Sequence, residues 1–215
     1  MQFITPLAPA YAEIFLLGMV CVILLADLFV SDEKRDITYG LTLAALAGCF
    51  AITGFVDQGS ESYTFSGMFV ADLLANVLKL GIYVVVAIVL VYAQAYIRAR
   101  DMFRGEFFVL ALFATLGMMV MVSANHLLTL YLGLELLSLS LYAMIALQRD
   151  STAATEAAMK YFVLGALASG MLLYGMSMLY GATGTLDLAR MAEVIASGDA
   201  DDTILLFALV FVVAG

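Results

Sequence analysis

The sequence predicts an all-α fold, a polytopic transmembrane helix bundle, on three observations. Hydrophobic residues make up 65% of the 215 and charged residues only 13%, whereas soluble chains run near half apolar and about one quarter charged. Apolar runs of about twenty residues, long enough to cross a hydrocarbon core of about 30 Å, recur along the whole length. Lipid offers no partner to a backbone amide, so runs of this length close their hydrogen bonds internally as helices, while barrel strands would alternate over about ten residues. The mean hydropathy of +1.07 leaves no room for a separate soluble domain.

Six spans follow in order: Tyr11 to Val30, Ile37 to Val56, Leu73 to Tyr96, Gly105 to Val122, Leu127 to Leu147 and Ala157 to Tyr180. The first is expected to stay uncleaved, because "MQFITPLAPAYAE" lacks the basic start of a secretory signal and the apolar run after it exceeds a signal's apolar region. The last apolar run, Ile204 to Gly215, is about 18 Å long as a helix and reads as an incomplete seventh span. A chain stopping there is expected to be a truncated product or gene fragment. Residues 1–104 then hold the first three spans and a cytoplasmic loop, and residues 105–215 the truncated first part of a longer transmembrane module. No internal repeat is evident.

Positive charge orients the spans. Lys34 and Arg35, then Arg98, Arg100 and Arg104, then Arg149 fall in loops on one side, while the opposite loops hold only Arg190. The positive-inside rule places the first side in the cytoplasm and the N-terminus outside. Of nine Lys and Arg, this leaves Lys79 and Lys160, both inside predicted spans. The net charge of -9 with no basic patch speaks against a nucleic-acid partner, since the acidic residues mostly collect in connecting loops. Cys21 and Cys49 lie within apolar runs and read as small buried hydrophobes.

The stretch "LTLYLGLELLSLSLYAMIAL" carries one carboxylate, Glu135, at bilayer depth. An ionised acid there costs between about 2.5 and more than 10 kcal/mol, depending on the reference, so the expectation is a functional one. Tyr131, Glu135, Ser138 and Tyr142 follow i, i+4, i+7, i+11 spacing and share one helix face, which should point at protein or water. The bland alternative is a protonated Glu135 hydrogen-bonded to a neighbouring helix.

Lys160, on the next span, is the expected partner. Its depth differs from that of Glu135 by about 10 Å, so coupling through water is as reasonable as direct contact. Two alternatives compete: a local i, i+4 pair with Glu156, and snorkelling toward the interface. Lys79 lies about 10 Å inside the third span, within snorkelling reach, so a structural role is at least as good a reading as a proton-carrying one. His126 sits at the outer mouth of the fifth span, as a proton relay or an interface cap. Asp27 reads as an interfacial carboxylate. Gly165 with Ser169, and Ala166 with Gly170, have small-xxx-small spacing that lets helices approach. Walker-type loops, metal-ligand clusters and nucleophile–base–acid sets are absent from the sequence, so soluble-type catalysis has no support.

The stretches "HLLTLYLGLELLSLSLYAMIAL" and "EAAMKYFVLGALASGMLLYGMSMLYGATGTLDL", with "AEIFLLGMVCVILLADLFV" near the start, resemble subunit N of the bacterial NADH-quinone oxidoreductases, respiratory complex I. The resemblance covers essentially the whole chain, and the wording "LELLSLSLYAMIAL" separates it from the sister subunits L and M. It implies an antiporter-like, proton-translocating membrane subunit of a translocase in the bacterial inner membrane. A fifth-span glutamate and lysines of later spans carry protons along a hydrated path in that family. Glu135 matches the glutamate and Lys160 the sixth-span lysine. The family's central lysine on a broken seventh helix, and its second inverted repeat, lie beyond this sequence.

The resemblance also implies that this chain holds no cofactor. NADH, flavin, iron–sulfur clusters and quinone belong to partner subunits, and this chain's partners are the other membrane subunits of complex I, the lipid bilayer, protons and water. Two rival readings are a monovalent cation/proton antiporter subunit of the same superfamily and a purely structural membrane subunit.

Overall fold

The computed structural model describes residues 5–30, 35–55, 61–100 and 102–215. A 3-10 helix, Thr5–Ala10, leads into α1 (Tyr11–Asp27), followed by α2 (Asp36–Phe55) and a hairpin of β1 (Ser62–Thr64) and β2 (Phe69–Ala71). Then come α3 (Leu73–Ala99), α4 (Gly105–Val122), α5 (Leu127–Ile145), α6 (Thr152–Thr183), α7 (Leu188–Ser197) and α8 (Asp202–Ala214). Six helices are long and apolar enough to cross a membrane, beginning at Leu7 for the first and ending at Thr183 for the sixth. The fold is therefore the expected multi-pass membrane bundle. Lys34 and Val56, counted above in a loop and a span, lie outside the described residues.

The helices start and stop where side chains can satisfy their free amides. Asp72 accepts from the Ala75 amide at 2.6 Å to begin α3, and Ser151 accepts from the Ala154 amide at 3.3 Å to begin α6. That cap explains why α6 starts five residues before the expected Ala157: "TAATE" forms helix well but is too polar to register as membrane span. At the other end Gly184, at φ +70°, takes the left-handed conformation that closes α6.

α4 is the centre of the bundle. It packs against α1, α2, α3 and α5, and buries residues around its whole circumference, including Phe108, Leu112, Thr115 and Met119. A helix apolar on all sides is suited to such a position. With Leu16, Ile23 and Leu46 it forms one core. A second core joins α5, α6, α7 and α8 through Leu127, Leu172, Met176, Met191 and Ala208. α4 and α5 approach until their backbones nearly touch: a Cβ on Gly117 would lie 2.7 Å from the Gly133 carbonyl oxygen, and one on Gly133 2.8 Å from the Gly117 carbonyl oxygen. Only glycine permits that approach.

Two elements replace what reads in the sequence as loop. The segment before α3 forms the antiparallel hairpin, with Ser62 opposite Ala71, Tyr63 opposite Val70 and Thr64 opposite Phe69. Phe65, Ser66 and Gly67 turn it with positive φ. The segment after α6 holds α7, capped by Asp187 accepting from the Arg190 amide at 2.9 Å and closed by Gly198 at φ +76°. Both elements are too short and too polar for a hydropathy criterion. α8 is the expected short apolar helix after "GDADD", and its Val212 and Ala208 backbones lie against Gly175 of α6.

The arginines at the ends of α3, α5 and the α3–α4 connection mark a basic face. There Arg98 pairs with Asp36 and stacks over the Phe103 ring, 4.1 Å from its centroid. The opposite end, bearing the hairpin and α7, is the hairpin face. Asp27 is more than an interfacial carboxylate. It accepts from the Thr38 hydroxyl at 2.9 Å and lies directly against Gly105, where it faces the positive end of α4. Cys49 is buried, its thiol 3.7 Å from the Ala12 carbonyl oxygen, but Cys21 is exposed rather than buried, on the outer side of α1.

Candidate functional site

The polar face of α5 is turned toward α6 over Glu135 and Tyr142. The Ser169 hydroxyl on α6 donates to Glu135 Oε1. One turn earlier, the Tyr131 phenol interacts with the same carboxylate. Two turns beyond Glu135, the Tyr142 hydroxyl sits directly on Gly165, so a Cβ there would collide with it. Tyr142 also makes edge-to-face contacts with Tyr161 and Phe162, with centroids 5.0 and 5.6 Å apart. The Gly165–Ser169 stripe is thus the surface that admits α5's polar face. The Ala166–Gly170 stripe is not, since a Cβ on Gly170 would meet nothing within 4 Å. Ser138 is half-buried on this same face of α5.

An open cleft of about 480 Å³ lies between α5 and α6 on the basic-face side of Tyr142. Tyr142, Thr155 and Arg149 give its wall polar points, and Ala146, Ala158, Met159 and Phe162 supply the rest.

Lys160 does not meet Glu135. Its Nζ lies 2.5 Å from Glu156 Oε1, an exposed i, i+4 pair. The reason is helical phase: Lys160 and Ser169 are nine residues apart, which turns them to opposite sides of α6 and separates them by about 13 Å along its axis. Direct contact between Glu135 and Lys160 is therefore not made, and the local pair with Glu156, one of the alternatives open from the sequence, holds the lysine.

Lys79 departs further from the sequence reading. It does not snorkel: its side chain is 2% exposed, with Nζ 2.7 Å from Glu13 Oε1 on α1. The ammonium also lies 5.0 Å from the centroid of the Phe69 ring. The signal for Glu13 was available, because it sits near the start of the first span at the same depth as Lys79, and an ionisable residue in a span calls for a partner. His126 caps α5, its Nδ1 accepting from the Leu128 amide at 3.3 Å, and bridges to Asp187. Ser169, the partner of Glu135, was visible in the sequence only as half of a small-residue pair.

A family model described as "NADH:quinone oxidoreductase/Mrp antiporter, TM" matches residues 124–215, the part containing Glu135, Lys160 and Ser169. NADH-quinone oxidoreductase subunit N of Nitrosomonas europaea is 64% identical over 216 aligned residues, covering 100% of this chain and 45% of the relative. The chain matches the N-terminal portion of subunit N. Subunit N of Thiobacillus denitrificans is 61% identical, again over 100% of this chain and 44% of its own length. Among solved structures, a chain of respiratory complex I from Thermus thermophilus superposes with a TM-score of 0.74 at 28% identity, over 95% of this chain and 42% of that one. The chain thus spans just under half the length of the subunit N relatives it matches. The Thermus relative belongs to a multi-subunit membrane complex.

Proposed function

We propose that this chain is the proton-handling N-terminal part of a complex I subunit N, moving protons through a membrane path coupled to electron transfer in partner subunits. The observation that carries the reading is the Ser169–Glu135 contact. A hydroxyl donates to a carboxylate and equally accepts from a carboxylic acid. Glu135 therefore keeps a hydrogen bond in either charge state, which is what a proton-carrying acid in lipid requires. A fixed cation at the same place would favour one state only.

In this reading Glu135 binds the proton, Ser138 and Tyr142 line the route, and the cleft by Arg149 and Thr155 admits water from the basic face. Lys160 serves as a second proton site nearer that face, on the other side of α6, reached through intervening groups rather than by contact. The structure favours capping for His126 and an ion-pair role for Lys79. NADH, flavin, iron–sulfur clusters and quinone are handled by partner subunits. The chain lies in the bacterial inner membrane with the hairpin face outside, in keeping with the arginine bias.

Moving one elementary charge against 100 mV requires about 2.3 kcal/mol, a load that one coupled titration can carry. The test is Glu135→Gln in the assembled complex, reading proton uptake by inverted vesicles against NADH oxidation. Loss of pumping with normal assembly supports the assignment, and full pumping with normal assembly overturns it. The matched family model also covers Mrp antiporters, so the same vesicles are read for sodium-dependent proton movement, which would favour a cation/proton antiporter subunit.

A further inference from the structure

The Glu13–Lys79 pair takes no part in the path above, yet it is the most deeply buried ion pair among the described residues. Neither Glu13 oxygen has a hydrogen-bond donor there besides the Lys79 ammonium. A buried ion pair with so few hydrogen bonds contributes little net stability over an apolar pair of the same size, so its presence asks for another reason. Its surroundings supply one. The ammonium lies against the Phe69 ring of β2, and Phe69 bridges to Ala124 in the α4–α5 turn.

From there a strap of backbone hydrogen bonds crosses the hairpin face. The Val70 amide donates to the Ser123 carbonyl at 2.9 Å, and the Asn125 amide to the Met68 carbonyl at 3.1 Å. The Leu127 amide donates to the Leu186 carbonyl at 2.9 Å, and the Leu188 amide to the Asn125 carbonyl at 3.2 Å. The strap ends at the first turn of α5, the helix that carries Glu135.

We propose that Glu13 and Lys79 are positioning residues: the pair holds the ammonium against Phe69, and so fixes the strap that sets the hairpin-face end of α5. The carboxylate aims the ammonium, and the cation holds the ring. Fixing α5 at its first turn fixes the height at which Glu135 meets Ser169. The importance of that last step rests on the proton-path reading; the positioning itself does not.

Hydrogen exchange tests it on the full-length protein, purified in nanodiscs with its co-purifying subunits. Lys79→Met and Glu13→Gln are expected to speed exchange of peptides spanning 62–72 and 123–128 at least tenfold, with α4 peptides around 110–119 unchanged. Lys79→Arg, which keeps both the pair and the cation on the ring, is expected to match wild type. Tyr83→Phe, which breaks only the neighbouring 3.3 Å contact with Thr53, is expected to leave the strap unchanged. If a single variant fails to assemble with a lone buried charge, Glu13→Gln/Lys79→Met removes both charges and is expected to assemble with the strap still loosened. Wild-type protection of the strap in Lys79→Met or the double variant overturns the proposal, as does equal loosening by Tyr83→Phe. These exchange outcomes do not depend on whether Glu135→Gln stops pumping.

Discussion

Ser169 donates its hydroxyl hydrogen to Glu135 across the α5–α6 interface, and this bond joins the one mid-span acid of α5 to its neighbour helix. Removing the hydroxyl while keeping the fold should therefore leave Glu135 without this partner in either charge state. Ser169→Ala is expected to lower proton uptake per NADH oxidised in inverted vesicles by roughly five- to tenfold, the effect of losing a hydrogen bond to a charged group worth about 1.5–3 kcal/mol diluted by water entry. Ser169→Thr, which restores the hydroxyl, is expected to recover most of it. Equal pumping by the alanine and threonine variants would show that the hydroxyl is incidental.

Lys160 faces away from Glu135 and is held by Glu156. If the lysine carries protons, the pair itself matters little. Glu156→Gln is expected to change stability by no more than about 0.5 kcal/mol, as for other exposed i, i+4 pairs, and to leave pumping near wild type. Lys160→Met is expected to reduce pumping with assembly intact. A methionine variant that pumps normally would assign Lys160 to snorkelling.

What the sequence made legible was what hydropathy and helical phase encode. The six spans and the shared face of Tyr131, Glu135, Ser138 and Tyr142 follow from apolar run length and from spacing, and the structure contains the spans and one continuous helix over those four residues. Partners were harder to read. Glu13 and Lys79 are 66 positions apart in sequence and meet only because α1 and α3 stand at the same depth, which single-helix periodicity does not report. Lys160 and Glu135 lie on consecutive spans, but nine residues of helix turned the lysine away from Ser169. The hairpin and α7 were hidden by brevity: each is stabilised by its neighbours rather than by its own hydrophobicity.

Gly117 and Gly133 carry the α4–α5 contact. Moving a side chain such as Met121 does not by itself make room for a methyl group at either position, because facing backbone atoms also stand at 2.7 to 2.8 Å. Gly133→Ala is expected to push the helices apart and destabilise the subunit by about 1–3 kcal/mol, the range for overpacked interiors. Gly170→Ala, facing open space, is the control and is expected to be neutral or slightly stabilising through better helix propensity. Detergent-resistant assembly and thermal unfolding of the two variants give the comparison, and the same glycine-to-alanine change should separate them clearly.

Asn125 is the hub of the hairpin face. Its side-chain amide donates to the Gly67 carbonyl at 2.9 Å and to Asp187 Oδ2 at 3.2 Å, while its backbone joins Met68 and Leu188. The side-chain amide thus ties the hairpin turn to the start of α7 across the α4–α5 turn. Asn125→Ala removes both side-chain bonds, each worth about 1 kcal/mol, or more where the acceptor is a carboxylate, and leaves the Gly67 carbonyl without its donor. The helices themselves do not depend on these bonds, so global unfolding should move little. The loss is expected to appear locally, as faster cleavage by an added protease within residues 62–71 and 184–190 of sealed right-side-out vesicles, with cleavage at the basic face unchanged. Asn125→Asp keeps the shape but sets a second carboxylate against Asp187, and is expected to open the strap further than alanine does at neutral pH. An alanine variant as resistant as wild type would mean that the four backbone bonds of the strap hold it without the side chain.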